Sequence, residues 1–397
     1  MIDFGLTEEQ LAIQRTARDF AEKEMKALGR EVDRIANPKD VWPRVVDVVK
    51  AGLDLGYHTM AIPKEYGGEG LDHRTMGLVW EELAAGDTGI AGNILISNIA
   101  WLPLILGATE EQKKKWFTAI CNDTSGMCIG CWSATEPDGL APDFDAPFEG
   151  RESITVQTTA KPDKDYYVID GQKAFATGGG IAKVCVLFAK TPDGVAHFFV
   201  PTDTLGYVVS KQEDMLGLRC LNETHLFFDN MRVPKENLVS GQPGNGRAEM
   251  GGTLALSDTW VAAMANGLTR AAYEAALEYS KTRVLAGKPI FRLQAVSLMI
   301  AEMYLLLEAA RAITWKSLWY NDTYPAPDEK LAMAAKIFAS DTVMKVTTDA
   351  VQVYGGAGFM KDNPVEKFMR DAKIFQIFEG TNQVLRIHIG TYLGLGV

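Results

Sequence analysis

The chain has 397 residues, 47% of them hydrophobic and 23% charged, with a formal net charge of −11 and a pI near 5.1. That length predicts two or three domains of roughly 150 residues each, and that composition excludes a disordered or fibrous chain. The acidic balance argues against a nucleic-acid partner, which needs a basic face, although a few local Arg side chains and helix N-termini suffice for a phosphorylated ligand.

The N-terminus, MIDFGLTEEQ, has neither a basic n-region nor an apolar h-region, so no signal peptide is expected and the cytoplasm is the expected location. Thr7 followed by Gln10 predicts a capping-box helix start, and Leu6, Leu11, Ile13, Ala17 and Phe20 give it one apolar face. A turn is predicted from Pro63 to Gly68, then a further helix through Trp80 and Ala85. Ile90 to Ala108 carries no charge and is long enough to cross a membrane. Gly92, Asn93, Ser97, Asn98 and Pro103 interrupt it, however, and Asp87 and Glu110 flank it. It is predicted to be a buried helical region lining a pocket rather than a membrane span. Residues 1–125 therefore read as a helical domain.

The five cysteines do not form a disulfide framework. Cys128 and Cys131 make a lone CxxC, which a redox dithiol or half a zinc site would use. No second CxxC or paired His accompanies it, and semi-buried reduced thiols are the reading adopted.

From about residue 126 the pattern changes to short runs rich in β-branched and aromatic residues: Tyr166–Ile169, Val184–Phe188, His197–Val200 and His225–Phe228. Asp170-Gly171, Pro192-Asp193-Gly194 and Asp229-Asn230 punctuate them as turns. A β domain over 126–240 is predicted. After the Gly-rich 241–246 connection, Ala262–Tyr279, Gln294–Tyr320 and Ala332–Tyr354 are long and Ala- and Leu-rich, which predicts a helical bundle over 241–397.

The C-terminal stretch Arg370-Asp-Ala-Lys-Ile-Phe-Gln-Ile-Phe-Glu379-Gly-Thr-Asn-Gln383 carries the most chemistry. Glu379 follows Ile374, Phe375, Ile377 and Phe378, and apolar surroundings raise a carboxyl pKa towards that of a general base. Gly380 lets backbone pass close to a ligand. On these residues alone, a surface Glu ending an amphipathic helix remains open.

RDAKIFQIFEGTNQVLR resembles the C-terminal motif of acyl-CoA dehydrogenases, especially the medium- and short-chain branches, and the likeness extends over the whole chain. It implies an α+β multidomain fold: an N-terminal helical domain, a middle β-barrel domain and a C-terminal four-helix bundle. It further implies FAD, an acyl-CoA substrate, an electron-transfer flavoprotein as acceptor, and a homodimer or homotetramer. Glu379 occupies the place of the base that removes the α-proton. Gln352, Gly355 and Gly356 fall in a segment similar to the family's Gln-x-x-Gly-Gly-x-Gly-Phe, which approaches the FAD pyrophosphate. Arg283 stands where the family Arg reaches a neighbouring subunit's FAD, and Gln294, Thr381 and Gln383 match further dinucleotide contacts. Trp132, Ser133, Ala134 and Thr135 resemble the strand lying against the flavin, and Phe175, Ala176 and Thr177 resemble the family's Trp-Ile-Thr. An exposed helix Arg and ordinary core-strand residues are the alternative readings of these positions.

Four departures bear on substrate. The family's Gly-Ser-Asp after Thr-Glu-Pro is missing at 138–143. Asp258 stands where an Arg is usual, Ala286 where a Phe is usual, and Phe378 where medium-chain enzymes have Tyr. Alignment with the family on Pro103 puts Leu95 where medium-chain enzymes have an acidic residue near the pocket floor, and Trp101 is expected to block long straight chains. With Asp258, Phe378 and Gly380 these are the expected substrate contacts, and no metal is expected. The expected reaction is α,β-dehydrogenation of a neutral short, branched or alicyclic acyl-CoA. An enoyl-CoA reductase, an oxidase or a non-catalytic assembly member of the same fold are the alternatives.

Overall fold

The computed structural model describes residues 4–137 and 156–395. The missing Gly-Ser-Asp segment therefore lies outside the described residues. The chain runs helical, then β, then helical, as expected.

The first helix, α1 (Glu8–Phe20), starts in the predicted capping box, with Thr7 and Gln10 each bonding the other's backbone N–H. It continues through a π-helical turn into α2 (Lys26–Val32), followed by α3 (Trp42–Asp54). The next two helices, α4 (His73–Gly86) and α5 (Thr88–Gly107), abut because Asp87 caps α5, accepting from Ile90 N at 2.8 Å. Helix α5 is apolar enough by length and composition to cross a membrane, but 78% of its apolar window is buried inside the protein. It is the central helix on which the other domains rest, and α6 (Glu110–Cys121) follows it.

Among the described residues the middle domain is a curled seven-stranded sheet: β1 (Gly130–Ser133), β2 (Thr159–Asp163), β3 (Tyr166–Thr177), β4 (Val184–Thr191), β5 (Gly194–Pro201), β6 (Tyr207–Val209) and β7 (Glu223–Pro234). Strands β1 and β2 both pair with the same edge of β4, whose other edge carries β5. Strand β3 is bulged between Lys173 and Ala176, which turns its last residues out of the regular ladder.

The C-terminal domain is built on α7 (Gly246–Thr282), α8 (Gln294–Thr323) and α9 (Glu329–Tyr354), with the shorter α10 (Val365–Ala372) and α11 (Asn382–Tyr392) packed against α9. A two-stranded hairpin, β8 (Val284–Leu285) and β9 (Lys288–Pro289), joins α7 to α8. Ala286, one of the four departures, sits in its turn at φ +50°.

Buried charge clamps these parts together. Leu218 N donates to Asp371 Oδ1 at 2.7 Å, and Arg219 donates to the carbonyls of Asp33 and Ile35. Lys367 lies 2.8 Å from Asp87 and 2.5 Å from Asp371, and Arg370 lies 2.7 Å from Asp33. The Arg370-Asp371 start of the C-terminal motif is thus an inter-domain fastening, which fixes where the Glu379 turn sits. All five cysteines carry free thiols, four of them buried.

Candidate active site

Glu379 lies just before α11, in a turn that a regular backbone does not make. Its φ is +53°, unusual for a residue with a side chain, and Gly380 follows at +88°. Holding a non-glycine residue there costs on the order of 1–3 kcal/mol, so the surroundings must enforce it. They do so through α9. Lys336, fully buried, donates to Gly380 O at 2.6 Å and to Asn382 Oδ1 at 3.1 Å. Asn382 in turn donates to Ser340 Oγ at 2.8 Å and to Asp341 Oδ1 at 2.9 Å. Phe375 is wholly buried and meets Phe378 edge to face at 5.2 Å, closing the other side of the turn.

The carboxylate of Glu379 points to α7, where Ser257 Oγ donates to its Oε2 at 2.6 Å. Burial pushes the Glu379 pKa up, while the Ser257 hydrogen bond and the Lys336 charge restrain it. Ser257, Lys336, Ser340, Asp341 and Asn382 were not singled out from sequence. Their signal was weak: small or charged residues at ordinary helix positions, meaningful only once the turn is folded against them. Replacing Ser257 by Ala removes a donor that favours the ionised base. The acid limb of the kcat/KM profile should move to higher pH, with the rate on that limb falling about tenfold and the plateau little changed, since a hydrogen bond to a charged group contributes roughly 1.5–3 kcal/mol. An acid limb that stays in place would show that Ser257 does not act on the base.

Asp258 is buried beside Ser257 on α7, not solvated. Thr259, the next residue, bonds Ser317 of α8 at 2.8 Å, so this turn of α7 is tied on two sides.

The residues expected against the flavin lie at the ends of β1 and β3. Lys173 Nζ donates to Ala134 O at 2.8 Å and pairs with Glu136 at 2.9 Å, both side chains essentially inaccessible. Ala174 N donates to Thr135 O at 2.9 Å. These contacts bring Trp132–Thr135 beside Phe175–Thr177. Ser133, Ala134 and Ala176 are buried, Trp132, Thr135 and Thr177 are half-buried, and Phe175 is 66% exposed at φ +55° on the bulge. Trp132 Nε1 donates to His197 Nε2 at 3.2 Å, and His197 Nδ1 lies 2.8 Å from Glu249 of α7. Glu249 and Ser257 are about 12 Å apart along α7 at 1.5 Å per residue. Trp132, through His197, and Glu379, through Ser257, are therefore anchored about two turns of α7 apart.

The expected substrate contacts divide. Leu95, Ile99, Leu102 and Leu106 recur at helical spacing on α5, and Leu106 sits against Gly252 of α7. Leu95 is buried on that stripe. Trp101 is not on it. It is fully buried, donates to His58 O at 3.0 Å, covers Gly130 and belongs to a cluster with Trp116 and Phe117. Asn98, one turn back, bonds the same 57–61 loop at Tyr57 O and Ala61 N. The expectation that Trp101 ends an acyl pocket is corrected: its indole is committed to the opposite face of α5.

Arg283, Gln294, Gln352, Gly355 and Gly356 are all exposed and gather at the far end of the bundle, where Tyr279 and Tyr354 stack at 3.9 Å. Space around Gly355 and Gly356 is open, and Gly355 has φ +59°. Thr381 caps α11 by accepting from Val384 N at 3.3 Å, and Gln383 is exposed.

Three domain families match along the chain: the acyl-CoA dehydrogenase N-terminal domain over residues 7–124, the middle domain over 131–231 and the C-terminal domain over 244–393. The chain belongs to the acyl-CoA dehydrogenase family. It is 34% identical to the mitochondrial short-chain specific acyl-CoA dehydrogenase of Sus scrofa, over 98% of this chain and 91% of that protein. It is 35% identical to the cyclohex-1-ene-1-carbonyl-CoA dehydrogenase of Geobacter metallireducens, over 98% of each. Among solved structures, a chain from that of the electron transferring flavoprotein of Acidaminococcus fermentans superposes with a TM-score of 0.88 at 36% identity, over 98% of this chain and 99% of that one. As an acyl-CoA dehydrogenase, this chain is an FAD-dependent oxidoreductase. The residues present fit a flavin: Phe175 offers a largely exposed ring, and the buried Glu223 behind Thr177 keeps one carboxyl oxygen without a hydrogen bond among the described residues.

Proposed function

We infer that this acyl-CoA dehydrogenase removes hydrogen across the α,β bond of a neutral short, branched or alicyclic acyl-CoA, giving the enoyl-CoA. The observation that carries this reading is the Glu379 carboxyl, held in a left-handed turn and made more basic by burial. Glu379 takes the α-proton. The left-handed turn presents its backbone N–H as a donor to the thioester carbonyl, where negative charge develops as that proton leaves. Trp132–Thr135 and Phe175–Thr177 hold the flavin against the acyl chain, and bound FAD supplies the hydride acceptor for the β-carbon. Thr381 and Gln383 contact the dinucleotide, and Phe378 and Gly380 border the thioester.

The contacts expected from Arg283, Gln294, Gln352, Gly355 and Gly356 support a shared site. Arg283 ends α7 about 39 Å from Ser257 at 1.5 Å per residue, farther than one FAD reaches. A second copy of the chain in a homodimer or homotetramer supplies that end. The exposed Leu298, Tyr304 and Leu305 of α8 and Val284 and Leu285 of β8 suit such burial. An electron-transfer flavoprotein is the acceptor in this reading, supported by the family and by the solved chain matched above. The free thiols suit the reducing cytoplasm.

Substrate class follows from α5. Its α7-facing stripe is aliphatic, the helix carries no Lys or Arg, and Asp258 adds a buried acid beside Ser257. A distal carboxylate there would lack a cation and cost several kcal/mol, whereas a compact apolar acyl group gains about 25 cal/mol per Å² buried. The relatives named for short-chain and cyclohexenyl substrates agree in kind. In a panel of butyryl-, isobutyryl-, cyclohexanecarbonyl-, glutaryl- and palmitoyl-CoA, kcat/KM should be highest among the first three. Glutaryl-CoA turning over fastest would overturn this reading of the pocket.

A further inference from the structure

Glu223 opens β7 directly opposite Thr177, the last residue of β3. Thr177 Oγ1 donates to Glu223 Oε2 at 2.8 Å. Glu223 is only 7% exposed, and its other oxygen, Oε1, has no hydrogen bond among the described residues. A buried carboxyl left half-satisfied is unfavourable and calls for a reason.

Among the described residues no cation offsets it. Glu213, whose backbone N–H donates to Glu223 O at 2.9 Å, brings a second carboxylate to the neighbourhood. His225, two positions along β7, lies 3.9 Å from Glu213 and tilts against Phe175 at 5.3 Å between ring centroids. Lys173, one bulge away on β3, is committed to Glu136. Burial, with Glu213 adding to it, pushes the Glu223 pKa up to about 7.

Glu223, Thr177, Phe175 and His225 thus form one cluster at the exposed end of the β3–β7 pair. This inference rests on the reading that Phe175–Thr177 wall the flavin. We propose that Glu223 is a positioning residue for the cofactor, holding the Thr177 hydroxyl in one orientation and placing a carboxyl one hydroxyl away from the flavin, so that its charge sets how readily the flavin takes up electrons. A negative charge in a poorly solvated site disfavours further negative charge nearby, and two-electron reduction adds it. Ionised Glu223 therefore lowers the reduction potential, and its protonated form raises it.

The test is the midpoint potential of the FAD-loaded enzyme across pH, in wild type and in Glu223→Gln. Gln keeps an oxygen for the Thr177 hydroxyl and removes only the charge. Above neutral pH, E223Q should favour reduced over oxidised FAD by about tenfold more than wild type, close to 30 mV for a two-electron couple. Wild type should also show an inflection near neutral pH that E223Q lacks. Equal potentials and parallel pH profiles would overturn the proposal. If E223Q does not hold FAD, the wild-type profile alone decides, since a potential without that inflection overturns it equally. Thr177→Val separates this from failure of the underlying reading. If T177V leaves both the FAD dissociation constant and the flavin spectrum unchanged, the flavin is not against β3. If T177V alters them while E223Q leaves the potential unmoved, only the role of Glu223 fails.

Discussion

Glu379→Gln should retain FAD and bind acyl-CoA, yet reduce its flavin at least about a thousandfold more slowly than wild type, within or beyond the 10²–10⁴ typical for loss of a general base. Gln is isosteric and still accepts the 2.6 Å hydrogen bond from Ser257. The Lys336 contact is to the Gly380 carbonyl rather than to the side chain, so the turn keeps its anchor. What disappears is the basic oxygen that burial favours. Anaerobic stopped-flow reduction reads the loss. Near-normal reduction would move the base elsewhere, and buried Asp258 would be the first residue to replace.

Lys173→Met should give the largest loss of stability. Lys173 and Glu136 are 0% and 1% exposed and 2.9 Å apart. Glu136 also accepts Gln157 N at 2.6 Å and Thr158 N at 2.8 Å, so it stays in place when its cation goes. Breaking a buried pair by removing one partner typically costs about 3–5 kcal/mol, because a charge is left uncompensated. The substitution also removes the 2.8 Å bond to Ala134 O that ties the end of β1 to β3. The melting temperature should fall by several degrees and FAD should dissociate more readily if, as proposed, both strands wall the flavin. Adding Glu136→Gln should recover most of the stability. A single variant as stable as wild type would mean that the pair is not what holds the two strands together.

The fold was legible where composition and period agree. The α1 capping box, the turn before α4 and the uncharged α5 stood out because each has a local cause in a few adjacent residues. Helix α7 begins well before the predicted Ala262: Gly251 and Gly252 lower the local propensity and hide that start in the sequence, while Leu106 against Gly252 and His197 against Glu249 hold it in the fold. Strand β2 was missed because Lys161, Pro162 and Asp163 hide it, and β6 because it spans three residues. Glu379 could be found because its apolar neighbours are adjacent in sequence and, decisively, because the stretch around it resembles the family's C-terminal motif. Ser257, Lys336 and Glu223 could not, because each gains its meaning from a partner 40 or more positions away. Trp101 shows the opposite error: sequence placed it on α5 but not on a face, and one hydrogen bond to His58 decides the face.

The most direct test is one anaerobic turnover of the FAD-loaded wild type with butyryl-CoA or cyclohexanecarbonyl-CoA in D₂O, following the flavin's visible absorption and the thioester by mass spectrometry. The flavin should bleach with formation of the 2-enoyl-CoA, and unreacted acyl-CoA should acquire deuterium at the α-carbon only when Glu379 is intact. A flavin that stays oxidised with every neutral acyl-CoA, or α-exchange that persists in Glu379→Gln, would contradict the assignment of this cleft and its base.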